Sequence, residues 1–431
     1  MIEKLKSVVL GVLVLVSLLQ TYLLVYSKPA PDSAQQAKYI KTEPMGTQAD
    51  ASDLIFPQDI VLHFGQGRHT VLPPNHHFYN IIFEKIRQRT FMGFEAMEPL
   101  VLEWQRIREE YVSLEIRFPD GIPLPVLANV MQIRGDVPEN GERIARIWIM
   151  TTENSEEVRT FFFTDNDLAV YEVTGADLTA QDVEQWVELG TFLNETNNYT
   201  TADGELYVPE QPVKAIKYQV RYKLYTAQQL QNNLFVDPGI SRNLYEHDGT
   251  EIFTDGKSGL QINHKQAWMT FSDPVAAAES GNDVGEDLYA AVQFINDHGG
   301  WNGTFMVSQL PADTPHTFIF SQYFQAGPNL PTYPILSSAE MPFGLIRVTL
   351  KNGTVSNYER SLINLDQEIV NMEEVELPGG KTLQKKIAQY NGKAEIVRLF
   401  PAYRPKKTDE YMELTPHWAV ELSDGSVKFL P

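Results

Sequence analysis

From Ser7 to Tyr26 the chain carries no charged residue and consists mostly of valine and leucine. Twenty helical residues at about 1.5 Å each span about 30 Å, the hydrocarbon thickness of a bilayer. Lys4 and Lys6 precede the run, so the positive-inside rule predicts a cytoplasmic amino terminus and an extracytoplasmic remainder. Tyr22 and Tyr26 fall where an outer aromatic belt lies. The competing reading is a cleaved signal peptide. Ser27-Lys28-Pro29-Ala30-Pro31 suits cleavage poorly, because Lys28 stands at a small-residue position and a proline follows Ala30. The expectation is a single-pass anchor in the cell membrane, comprising residues 1–27. Within it, Ser7 and Gly11, and Ser17 and Thr21, are small residues four apart that let a second helix approach. Gln20 can hydrogen-bond across such a contact. The two pairs lie about 80° apart around the helix, and a plain anchor with incidental small residues is the alternative.

Residues 28–52 are poor in apolar positions and read as a flexible tether. Ile60, Leu62 and Phe64 then alternate in a short strand, and Asn75 is placed to cap a helix burying Phe78, Ile81, Ile82 and Ile86. Strand patterns follow over 111–118, 144–150, 159–163 and 168–173. Thr179, with Asp182 three residues on, opens a helix whose Val183, Trp186 and Val187 share one face. Together these predict an N-terminal α+β domain over 53–193. Residues 194–212 read as a polar connector. Ile216, Tyr218, Val220, Tyr222 and Leu224 then alternate, Thr226 caps a helix with Gln229 three on, and a helix over 286–296 presents Leu288, Ala291, Val292 and Ile295. Asn352-Gly353 between two alternating runs is a hairpin signal. Leu383, Ile387 and Tyr390 mark a helix before strands over 396–400, 418–422 and 427–430. The predicted division is a central α+β domain over 194–311 and a C-terminal one over 312–431. Thr-Ala-Gln opens a helix at both 179 and 226, a hint of related units.

Composition changes this picture in two ways. With 43% apolar residues in 431, the exterior is long enough for several cores. The absence of cysteine excludes disulfides, thiol nucleophiles, cysteine-bound metals and a lipoprotein anchor, and suits a Gram-positive cell. The net charge is −21, of which the first six residues contribute +1, so the outer part is strongly acidic and nucleic acid is not an expected partner.

Candidate chemistry is sparse. His63, His69, His76 and His77 crowd into fifteen residues without the spacing of a zinc peptidase, and read as surface histidines near a helix start. Gly256-Lys257-Ser258 lacks the first glycine of a phosphate loop, since Glu251 stands there, and reads as a hairpin turn. Asp165 and Asp167 lack the glycine and final glutamate of a calcium loop. The Asn-x-Thr triplets at 194, 198, 302 and 352 read as turn chemistry. No nucleophile elbow occurs, and no catalytic residue, cofactor or metal site is expected, although carboxylates paired only in space are invisible in a sequence.

Three segments carry a family resemblance. Residues 244–260, LYEHDGTEIFTDGKSGL, resemble the "DG…YTDG…GL" signature of the YycH family, also seen in YycI. Residues 352–362, NGTVSNYERSL, and 416–425, PHWAVELSDG, are similar to its late strands, while the N-terminal part resembles it more loosely. The resemblance implies three α+β domains outside the membrane, the later two related to YycI. It further implies a regulator, not an enzyme, that adjusts the WalK (YycG) sensor histidine kinase together with YycI in cell-wall homeostasis. Contact would run through the transmembrane helices, on this chain at Ser7, Gly11, Ser17, Gln20 and Thr21; a homodimer is a further arrangement. The other readings are an extracytoplasmic binding module for a wall fragment or peptide, and a wall-remodelling hydrolase.

Overall fold

The computed structural model describes residues 44–430 except 99–102, 136–141, 153–156, 166–168, 194–198, 203–205, 246–248, 275–282, 312–314, 328–329, 331, 339–340 and 391. Before residue 44 it describes only Lys6, Leu13, Val14, Val16 and Ser17, all helical. Ser7, Gly11, Gln20 and Thr21 therefore lie outside the described residues, as do 28–43 of the tether. Among the described residues no helix is long and apolar enough to cross a membrane.

The described part of the chain is α+β, built on three sheets. The first contains β1 (Asp59–Phe64), β2 (His69–Leu72), β3 (Thr90–Met97), β4 (Val112–Pro123), β5 (Gln132–Ile133), β6 (Arg143–Thr151), β7 (Val158–Thr164), β8 (Val170–Ala176), β9 (Tyr199–Ala202) and β10 (Leu206–Pro209). They lie in the order β10-β9-β2-β1-β4-β6-β7-β8-β3-β5. Next, β11 (Val213–Leu224) opens a second sheet that is left unfinished. The chain instead builds a third from β12 (Arg242–Tyr245), β13 (Thr250–Thr254), β14 (Gly259–Asn263), β15 (Trp268–Ser272), β16 (Thr304–Gln309), β17 (His316–Phe324), β18 (Tyr333–Pro334), β19 (Leu345–Lys351) and β20 (Thr354–Ser361). Only then do β21 (Ile363–Leu377), β22 (Ile396–Lys407), β23 (Tyr411–Leu422) and β24 (Val427–Phe429) return. They complete the order β21-β11-β23-β22, with β24 on β23. The third sheet is thus an insertion between two neighbouring strands of the second.

This layout differs from the division read in the sequence. The expected boundary between 311 and 312 falls between β16 and β17, which are hydrogen-bonded neighbours. That between 193 and 194 precedes β9 and β10, which still belong to the first sheet. Leu206, Tyr207 and Val208 are buried there, a strand too short to register against the polar residues around it. The end of the tether is docked as well. Thr47 and Trp301 exchange backbone hydrogen bonds of 2.8 Å, and Asn296 holds both polar groups of Ala49.

Local chemistry accounts for most elements. Both Thr179 and Thr226 form reciprocal capping boxes, with Asp182 and Gln229 respectively. The helix Val284–Asp297 buries Leu288, Ala291, Val292 and Ile295, the expected stripe at helical spacing. Asn352 and Gly353 adopt φ values of 52° and 73°, the left-handed pair that a two-residue hairpin requires between β19 and β20. The helix His77–Arg87 departs from expectation: its cap is His76, and it buries Tyr79, Ile82, Phe83 and Ile86. Asn75 instead takes a left-handed φ of 61° one residue earlier, and Ile82 and Ile86 keep their expected places while Tyr79 and Phe83 replace Phe78 and Ile81. One continuous core of buried side chains runs through all three sheets.

A charged junction where three sheets meet

β1 carries the sequence Asp-Ile-Val-Leu-His-Phe, and its two polar residues are as buried as its apolar ones. Each has found partners. Asp59 faces Arg117 across the β1–β4 ladder, and the Arg117 Nε donates to its Oδ1 at 2.6 Å. The other carboxylate oxygen accepts from Nε of Arg398, at 3.0 Å, on β22 of the second sheet. Arg398 also donates to the Gln58 carbonyl at 3.2 Å, approaches Glu421 at 3.5 Å, and lies over the Phe400 ring at 4.1 Å. Burial pushes the Asp59 carboxyl up, but the two guanidiniums outweigh it and hold the group below the usual aspartate range. A buried carboxylate bridged by two arginines therefore fastens the first sheet to the second.

Four residues along β1, His63 pairs with His69 of β2, their Nδ1 atoms 2.9 Å apart. One Nδ1 must donate and the other accept, so the two rings are not both protonated. His63 stacks on Trp148 with ring centres 4.9 Å apart, and its Nε2 lies 3.7 Å from Glu115. Glu115 accepts from the Tyr207 hydroxyl at 2.8 Å, and Tyr207 in turn accepts from Arg108 at 3.1 Å. Burial depresses both imidazoles, His63 strongly and His69 to about 4, with Arg108 adding to the effect. The expectation of surface histidines is thus corrected for these two: they stand at inward positions of paired strands. His76 caps a helix by accepting from the Phe78 amide, and only His77 is exposed. Among the described residues no group of three or more histidine, aspartate or glutamate side chains is placed to hold a metal.

Arg398 and Tyr323 also face a cavity of about 300 Å³ bounded by β1, β2, β11, β17, β18 and β22. Sequence reasoning missed this site. Asp59 and His63 in an otherwise apolar strand were the local signals, whereas Arg398 lies 339 positions from Asp59 and only the tertiary fold brings it there. Of the predicted helix-contact residues, Ser17 is helical and the other four lie outside the described residues.

Fold and junction together define a three-sheet α+β protein organised about a buried ion bridge. The chain belongs to the YycH family: the YycH protein N-terminal domain matches residues 3–188, and the YycH protein C-terminal domain matches residues 203–430. It is similar to the two-component system WalR/WalK regulatory protein YycH of Bacillus subtilis (strain 168), with 21% identity over 98% of this chain and 95% of that protein. The crystal structure of YycH from Bacillus subtilis shares the fold, with a TM-score of 0.70 and 18% identity over 90% of this chain and 98% of that one.

Proposed function

We propose that this chain regulates the WalK sensor kinase of a WalR/WalK two-component system from the outer face of the cell membrane. The reading rests on similarity that runs the length of both chains to a protein named as a WalR/WalK regulator, so no domain of that relative is left without a counterpart. The anchor formed by residues 1–27 places the acidic exterior outside, and its Ser7, Gly11, Ser17, Gln20 and Thr21 contact the kinase and YycI within the bilayer. The second and third sheets correspond to the domains related in fold to YycI. The bridge at Asp59 suits this role, because a body fastened internally passes a displacement to its anchor without first yielding. A signal outside biases the kinase only by binding its two states unequally, and a coupling of about 1–3 kcal/mol is the usual range.

The test is affinity capture of the full chain from membranes, compared with a chain lacking residues 1–28 and with Gly11→Ile. Kinase and YycI recovered with the full chain and reduced in both variants is the expected result. Equal recovery with all three removes the helix contact, and no recovery of the kinase with the full chain removes the regulatory reading.

A further inference from the structure

The triplet Asn-Gly-Thr occurs at 302–304 and again at 352–354. In an Asn-Gly pair the following main-chain nitrogen meets little hindrance in attacking the side-chain amide, because glycine has no side chain. With the same triplet at both places, a large difference in reactivity comes from the fold. We propose that the fold makes Asn352 a site of spontaneous deamidation and shields Asn302 from it.

Asn302 is held at both atoms of its carboxamide. Its Oδ1 accepts from Nη2 of Arg360 at 2.8 Å, and its Nδ2 donates to the Ile363 carbonyl at 3.2 Å. Arg360 is itself buried, so the first of these bonds is charge-assisted and away from water. Both must break before the carboxamide swings onto the Gly303 nitrogen. Asn352 lies instead at the tip of the β19–β20 hairpin, where Lys351 and Thr354 pair across the turn. Among the described residues neither its carboxamide nor the Gly353 amide has a hydrogen-bond partner. The Asn352 φ of 52° suits both two-residue hairpin turns, which differ in the sign of φ at the second residue. Turning over the single peptide between Asn352 and Gly353 interconverts them, since glycine accepts either sign. That flip brings the Gly353 nitrogen toward the Asn352 side chain and leaves the strands in register.

The reaction needs only water. The Gly353 nitrogen gives its proton to solvent and bonds to Asn352 Cγ, the Cγ–Nδ2 bond breaks, and ammonia leaves. Water then opens the cyclic imide at either carbonyl. One opening gives aspartate, and the other gives isoaspartate, whose main chain runs through Cβ and Cγ. Each product carries one more negative charge than asparagine. Isoaspartate also lengthens the turn, which pulls apart Lys351 and Thr354 at the end of two neighbouring strands of the third sheet. The change accumulates with time, so it separates old molecules from new ones.

The test holds the purified full chain in mildly alkaline buffer for several days, folded and in urea, and maps peptic peptides by mass. In the folded chain the Asn352 peptide gains about 1 Da and becomes a substrate for isoaspartyl methyltransferase. It does so about tenfold faster than the Asn302 peptide, or more. In urea the two rates converge to within about twofold, because the shield is a property of the fold. Equal rates in the folded chain, or a faster Asn302, overturns the proposal. An Asn352 that reacts only in urea does so too, and a tenfold difference that persists in urea assigns the effect to the flanking residues instead. None of these outcomes involves the kinase, so the regulatory reading stands or falls separately.

Discussion

The buried pair His63–His69 makes stability depend on pH in a window where few carboxylates titrate. In the folded chain burial holds His69 at about 4, against an ordinary imidazole value of about 6.5. The unfolded chain therefore takes up a proton below pH 6.5 that the folded chain refuses, and stability falls as pH falls through that window toward 4. At pH 5 the unfolded imidazole is almost wholly protonated and the folded one almost wholly neutral, which gives a loss of about 2 kcal/mol from His69. His63, depressed still further, acts in the same direction. The perturbation that isolates the effect is His69→Asn, whose amide stands where the imidazole Nδ1 stood beside His63 and does not titrate. Urea unfolding of both proteins at pH 7.5 and pH 5 is the assay, and titrating groups away from His69 cancel in the difference. The wild type loses about 2 kcal/mol more than the variant between the two pH values. Parallel pH dependences would show that His69 is not excluded from water as its strand position indicates, and the reasoning would be refuted.

Arg398→Met loses about 3 kcal/mol in urea unfolding, since it leaves Asp59 buried with one guanidinium, and Asp59→Asn in the same chain recovers part of the loss; strictly additive losses would deny the bridge. Thr179→Ala lowers stability by about 1 kcal/mol while Thr179→Ser changes it by a few tenths, and equal losses would deny the cap a hydrogen-bonding role. Gly353→Ala, at φ 73°, costs about 1 kcal/mol by the same measurement, and no loss would mean that the turn relaxes to another type.

What the sequence made legible were features governed by neighbours in the chain. The capping boxes at Thr179 and Thr226, the stripe on Val284–Asp297 and the Asn352-Gly353 turn each depend on residues within a few positions. The domain division was not legible, because β11 and β21 pair across an insertion and no local pattern marks a strand waiting for so distant a partner. The junction was hidden for a related reason. Periodicity separates apolar from polar positions, and a buried aspartate or histidine counts as polar until its partner is known. Asp59 and His63 occupy positions of β1 that are as buried as those of Ile60 and Leu62. Arg117 and Arg398 for Asp59, and His69 for His63, brought in by strand pairing and the tertiary fold, make those positions tolerable.

The insertion of one sheet within another also orders events at the ribosome. Leu224 of β11 pairs with Ile363 of β21, 139 residues later, so that edge stays open while the entire third sheet is synthesised and can close on itself. Arg398 emerges later still. A nascent or truncated chain can therefore hold finished outer parts and yet have no clamp on Asp59. The clamp forms only once β22 has been made, so any chain that stops short of Arg398 lacks it.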